Sequence, residues 1–170
     1  MTNMTNKASM TSTPNANSLT IFIIEDDPLM AECISRAASR TLVSSKNSSS
    51  ANSPTIKIFS DAISATNALS GRLPDLIILD ILLNGPDGFT FLNEIISYTD
   101  TAKIPVIIVT SLNLSSENLT HYSVCTVLNK ETMTPADIQK AVRAALQSTE
   151  AHDVALEQPN SLIESPAHAC

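Results

Sequence analysis

One carboxylate closes the apolar run Leu76-Ile77-Ile78-Leu79-Asp80. A short continuous apolar segment is the pattern of a strand buried on both faces of a parallel sheet. An ionised group at its edge loses hydration unless a neighbour compensates it. Other polar groups stand in comparable places. Glu25-Asp26-Asp27 follow Leu19 to Ile24, Thr110-Ser111 follow Ile104 to Val109, and Asn129-Lys130 follow Val124 to Leu128. If the fold brings them together, each pair of carboxylates at 4 Å repels by about 4 kcal/mol at an effective dielectric near 20. That is comparable with the stability margin of a whole domain, and a hard divalent cation relieves it. Magnesium suits such a set because it takes few carboxylates, keeps several waters and often binds a phosphate oxygen, whereas calcium needs more protein oxygens than this edge offers. A lysine there serves as a point charge toward a carboxylate or phosphoryl oxygen, and Thr110 as a hydroxyl donor. The chemistry read from these types is Mg²⁺-assisted handling of a phosphoryl group at Asp80.

Each residue alone has a plainer use. One acid of Glu25-Asp26-Asp27 suffices to cap a helix, Lys130 alone reads as a solvated surface lysine, and Thr110 alone as a strand-end hydroxyl bonded to backbone. Only the combination points to a site.

The elements that must position them alternate along the chain. Strand patterns at 19–24, 55–59, 75–79, 104–109 and 124–128 are separated by helical patterns. The first helix has Asp27 as cap and Pro28 at its first position, with Leu29, Cys33, Ile34, Ala37, Ala38 and Thr41 on one stripe. The second carries Ala62, Ile63, Ala65, Ala68 and Leu69 and ends at Gly71. The turn residues Asn84-Gly85-Pro86-Asp87-Gly88 lead to a third, with Phe89, Leu92, Ile95 and Ile96 on its apolar side. A fourth, over 114–122, is only weakly periodic. The last has Thr134 as N-cap, Pro135 first and Asp137 three residues after the cap, ahead of Ile138, Ala141, Val142, Ala145 and Leu146. Five strands alternating with five helices predict a three-layer α/β domain with a mainly parallel sheet. Ligands of such sheets bind beyond the carboxyl ends of the strands.

Composition narrows the function. With 170 residues and 43% hydrophobic content, one core of ordinary size is expected: a folded unit at 19–147 between polar, disordered tails at 1–18 and 148–170. Ten Lys and Arg against 17 Asp and Glu give a net charge of -7, which argues against nucleic-acid binding by this chain alone. The odd count of Cys33, Cys125 and Cys170, without metal-ligand spacing, reads as reduced thiols. No signal peptide and no stretch of roughly 18 apolar residues is present, so a cytoplasmic location without membrane insertion is expected. Only three Gly occur, and none builds a phosphate-cradling loop after the first strand, which disfavours a flavin or nucleotide binder.

Ile23-Ile24-Glu25-Asp26-Asp27-Pro28, Pro74 to Asp80, Pro105 to Thr110 and Lys130 resemble the receiver domain of two-component response regulators. The resemblance covers about residues 19–147, with 30 positions from Asp80 to Thr110 and 20 from there to Lys130. It implies a flavodoxin-like (βα)5 fold with five parallel strands in order 2-1-3-4-5. It also implies that Asp80 is the phospho-acceptor and that Mg²⁺ is held by Glu25, Asp26, Asp80 and the backbone carbonyl of Leu82. Thr110 and Lys130 would bind the phosphoryl group and relay its presence. The implied partners are a sensor histidine kinase or histidine phosphotransfer protein and a downstream protein target. The expected role is a stand-alone receiver in a phosphorelay or in phosphorylation-dependent binding. It is not an enzyme acting on a metabolite, and catalyses only its own phosphorylation and dephosphorylation.

The chain departs from the family pattern on the output side. Val127 stands three residues before Lys130, where an aromatic is usual, and a β-branched valine has few rotamers to exchange. Glu131 stands where a Pro, commonly cis, is usual, so a trans bond is expected. Asn84 takes the place of a common Pro, Ser111 that of an Ala, and Ser123-Val124 that of a Gly-Ala pair. The Ser44–Ser53 insertion lengthens the Asp26-to-Asp80 spacing to 54, at little cost in stability. Val127 and Glu131 motivate an alternative, an interaction module that binds constitutively, without phosphorylation.

Overall fold

The computed structural model describes residues 19–43, 54–114 and 119–156, with side chains of the last helix described to Ser148. Each apolar run forms a strand. They are β1 (Thr20–Ile24), β2 (Thr55–Phe59), β3 (Leu76–Leu79), β4 (Val106–Thr110) and β5 (Val124–Asn129). All pair in parallel in the order β2-β1-β3-β4-β5, as expected. The central strands β1, β3 and β4 are buried at every position, which explains why their sequences do not alternate.

Side chains of period two divide this sheet between two cores. Phe22, Ile24, Ile77, Leu79, Val106 and Ile108 face α2 (Ala62–Leu69) and α3 (Gly88–Ile96). Ile21, Ile23, Leu76, Ile78, Ile107 and Val109 face α1 (Pro28–Val43) and α4 (Pro135–Leu156). The result is the three-layer, flavodoxin-like architecture that the alternating pattern predicted.

Four expectations are corrected. First, the described residues hold four α-helices and a short 3₁₀ turn at Thr101–Lys103, not five helices. Residues 119–123 and the flank at 111–114 are turn and loop, while 115–118 lie outside the described residues. Leu119, 5% exposed, anchors this connection to the core.

Second, the buried stripe of α1 is Ala31, Ile34, Ala37, Ala38 and Thr41. Leu29 is 81% exposed and Cys33 is exposed too. The first turn starts beyond the ends of the strands, and the stripe facing the sheet begins one turn later. Third, α2 ends at Leu69, capped by Ser70, with Ile63 exposed, and on α3 Phe91 joins Leu92 and Ile95 in the core, with Phe89 half-buried against it and Ile96 exposed. Fourth, α4 runs to Leu156, past the expected boundary at 147. The expected tail at 1–18, the part of the expected 148–170 tail that follows Leu156, and the 44–53 loop lie outside the described residues.

Local signals fixed the helix starts. Asp27 Oδ1 accepts from the N–H groups of Leu29 (2.8 Å) and Met30 (3.3 Å). Thr134 and Asp137 form the reciprocal box: the Thr134 N–H donates to Asp137 Oδ2 at 2.8 Å and the Asp137 N–H to Thr134 Oγ1 at 3.4 Å. Asp61 and Asp87 cap α2 and α3 through the N–H groups of Ser64 (2.7 Å) and Thr90 (2.8 Å).

Candidate functional site

Because all strands run the same way, their carboxyl ends share one edge. Ile24 pairs with Leu79 in register, so the next residues, Glu25 and Asp80, leave the sheet side by side. Their backbones are tied in: the Asp80 N–H donates to Ile24 O and the Glu25 N–H to Phe59 O, both at 2.9 Å. Thr110 ends β4 opposite Asn129, and the Lys130 N–H donates to Thr110 O at 3.0 Å. Thr110 therefore stands on the strand between those that carry Asp80 and Lys130.

Lys130 reaches back across that edge. Its Nζ donates to Asp80 Oδ2 at 2.6 Å and to Glu25 Oε1 at 2.8 Å. It lies 2.8 Å from Glu25 Oε2 as well, so the ammonium faces both oxygens of that carboxylate. Glu25 Oε2 is a buried oxygen that accepts no hydrogen bond. The side chains of Glu25 and Asp80 are 1% and 2% exposed and that of Lys130 is 14% exposed. Burial pushes the Glu25 carboxyl above its ordinary value, and the Lys130 ammonium only partly offsets this. For Lys130 itself burial works against the charge, yet hydrogen bonds to Asp80 and Glu25 outweigh it and hold the ammonium above its usual range. One cation is pulled on by two carboxylates, so the lysine gains more from the arrangement than Glu25 does.

Glu25, Asp26 and Asp80 each offer a carboxylate oxygen, all within 4.8 Å of one another. One ammonium against three such carboxylates leaves an excess of negative charge, and buried Glu25 Oε2 accepts no hydrogen bond, with the Lys130 ammonium 2.8 Å away. An all-oxygen set of this kind fits a hard cation such as Mg²⁺. Leu82, named for its backbone carbonyl, lies on the loop after Asp80, and its N–H donates to Asp80 Oδ1 at 3.0 Å. Thr110 is fully buried, and the Leu112 N–H reaches its Oγ1 only at 3.4 Å.

Two residues that the sequence reading took only as turn or replacement positions prove to support the site. Gly88 packs so closely against the segment after β3 that a Cβ there would stand 2.5 Å from Asp80 O and 2.7 Å from Ile81 Cα. Its N–H donates to Ile81 O at 2.9 Å. Asn84 Nδ2 donates to Asp26 Oδ2, which ties the loop after β3 to the loop after β1. The Asp-Gly dipeptide marked a turn, but no local pattern shows that its glycine must pass against the backbone seven to eight residues earlier.

The altered positions are also placed. Val127 lies on β5, opposite Ile108, and is 36% exposed. The Lys130–Glu131 bond is trans, in keeping with the expectation, since no cis peptide bond occurs among the described residues. Asn129 Oδ1 accepts from the Glu131 N–H at 2.8 Å and turns the chain there.

A five-stranded sheet of this order, with an acidic cluster and a lysine at its carboxyl edge, defines a class, and comparison with known proteins agrees. The family model of the response regulator receiver domain matches residues 21–143, and the chain belongs to that family. Among curated proteins, none matches the sequence. Solved structures do. The signal receiver domain of a signal transduction histidine kinase from Syntrophus aciditrophicus is 21% identical, with a TM-score of 0.63, over 89% of this chain and 100% of that one. The Mn²⁺-bound form of response regulator Rcp1 is 26% identical, with a TM-score of 0.53, over 74% and 90%. A phosphorylated cyanobacterial phytochrome response regulator, RcpA, is 21% identical, with a TM-score of 0.54, over 85% and 99%. The protein is therefore a receiver of two-component signalling. No helix among the described residues is long and apolar enough to cross a membrane.

Proposed function

We propose that Asp80 accepts a phosphoryl group from the phosphohistidine of a sensor kinase or phosphotransfer protein. A carboxylate oxygen of Asp80 attacks phosphorus, the P–N bond breaks, and its electron pair leaves with the imidazole; the product is an aspartyl phosphate. The observation that carries this reading is the 2.6 Å contact of Lys130 Nζ with Asp80 Oδ2. It sets a cation where charge on the transferring oxygens must be neutralised. Glu25, Asp26, Asp80 and the Leu82 carbonyl would hold Mg²⁺, which, when bound, supplies further charge neutralisation at the phosphoryl oxygens. The Mn²⁺-bound relative supports a divalent cation. Thr110, between the strands of Asp80 and Lys130, would donate its hydroxyl to the new phosphoryl group. Output would pass to a downstream protein, by phosphorelay or by phosphorylation-dependent binding. Beyond its own phosphorylation and dephosphorylation the chain would act on no substrate, as a stand-alone cytoplasmic receiver.

Incubation with a small-molecule phosphodonor and Mg²⁺ tests this, with phosphoprotein followed by intact mass. Labelling of wild type and none of Asp80→Asn is the expected result. No labelling of wild type, under conditions that label a control receiver, overturns it.

A second reading, constitutive binding without phosphorylation, is favoured by one observation. The exposed Val127 offers no aromatic to move between two positions. If a partner leaves the Asp80→Asn variant and wild-type binding strengthens with a beryllofluoride phosphoryl mimic, that second reading fails.

A further inference from the structure

We infer that Asn84 is a positioning residue for the cation site, acting by donating its side-chain N–H to Asp26. The inference rests on the phosphoryl-acceptor reading above and concerns a position that this reading does not use. Glu25 and Asp80 have their own supports, the Lys130 ammonium and, for Asp80, the Leu82 N–H. Asp26 is out on the rim, half-buried, and the hydrogen bond from Asn84 Nδ2 is the support found for its carboxylate. The two residues are 58 positions apart, so the contact also pins the loop after β3 against the loop after β1.

The chain is bent to make this contact. Gly85, immediately after Asn84, has φ of +94°, a conformation that side-chain-bearing residues rarely adopt. The positive-φ turn thus follows directly on the residue that contacts Asp26, two positions before Asp87 caps α3. A proline, common at this place in receivers, has no side-chain donor to offer.

Carboxylates that bind metal ions are generally oriented by a hydrogen bond to one oxygen, which leaves the other for the cation. A second sign that the site is built for a cation is Glu25 Oε2, a buried oxygen with no hydrogen bond, whose 2.8 Å contact is with a cation, the Lys130 ammonium. With Asp26 fixed by Asn84, the three carboxylates hold a spacing within 4.8 Å before any ion arrives. Without the amide, Asp26 is free to swing away from its like-charged neighbours into water, and the ion must pay to bring it back.

Titration of the full chain with MgCl₂ at constant ionic strength, followed by the backbone amide NMR signals of residues 25–27 and 82, tests this. Asn84→Leu removes the donor at nearly the same size, and Asn84→Gln keeps an amide. The expected result is about tenfold weaker Mg²⁺ binding in Asn84→Leu and at least partial recovery in Asn84→Gln. The ion-free melting temperature should stay within about two degrees of wild type in both. Wild-type affinity in Asn84→Leu overturns the inference. Equal loss in both variants does so too, because it assigns the effect to loop shape rather than to the donor. Absence of Mg²⁺ binding by wild type itself would instead remove the cation site on which the proposed function stands.

Discussion

Lys130 Nζ lies 2.6 Å from Asp80 Oδ2 and 2.8 Å from Glu25 Oε1, joining residues 50 and 105 positions away in the chain. This ammonium is the cation that compensates two buried carboxylates. Lys130→Ala is expected to cost about 3 kcal/mol, the scale for removing one partner of a buried ion pair. Added Mg²⁺ should restore part of that loss. Thermal melts of wild type and variant, each with and without the ion, measure both effects.

Asp80→Asn should behave in the opposite way. It forfeits the attraction to Lys130 but also relieves repulsion from Glu25 and Asp26, and these nearly cancel. The removed cost of burying a charge then decides the sign, so a gain of about 1 kcal/mol is expected in ion-free protein. A melting temperature clearly below wild type would show that Asp80 is held by more than this pair.

Gly88→Ala should destabilise by about 2–3 kcal/mol, because its Cβ has backbone rather than a flexible side chain in its way. The clash falls on Asp80 O and Ile81 Cα, so phosphorylation at Asp80 should slow as well. Denaturant unfolding measures the first effect and a labelling time course the second.

Acid should unfold the protein partly through its helix caps. The carboxyls of Asp61 and Asp87 lie below the usual aspartate value near 3.8 because the N–H and hydroxyl groups of Ser64 and Thr90 donate to them. Asp137 is lowered in the same way, by the Thr134 hydroxyl and N–H. Lowered folded values mean stability that is present above about pH 4 and lost as pH falls through them. Replacing all three by Asn, whose amide oxygen accepts the capping N–H bond without titrating, should leave the melting temperature at pH 7 little changed. The fall in melting temperature below about pH 4 should then be shallower.

The five strands, their parallel pairing, the caps at Asp27 and Thr134 and the grouping of Glu25, Asp80, Thr110 and Lys130 at one edge were legible in the sequence. Each rests on a local signal, an apolar run or a cap spacing, and strand direction then carries every strand-end residue to the same side. The weak helix pattern at 114–122 misled because Leu119 and Tyr122, three apart, and Leu114, eight before Tyr122, fit a helical period while packing against the core from turn and loop. The α1 stripe misled because Leu29 and Cys33 fit the period as well as the residues that face the sheet.

Sequence alone determined which groups reach the edge, since period and polarity follow from near neighbours. Only the tertiary structure decided how they meet. Lys130 crosses the end of β4 to two carboxylates, Asn84 holds Asp26 across two loops, and Gly88 slides beneath Asp80. The first two contacts join parts of the chain 50 or more positions apart and the third closes a loop of eight; no local pattern encodes those distances, and the packing of helices on a twisted sheet sets them.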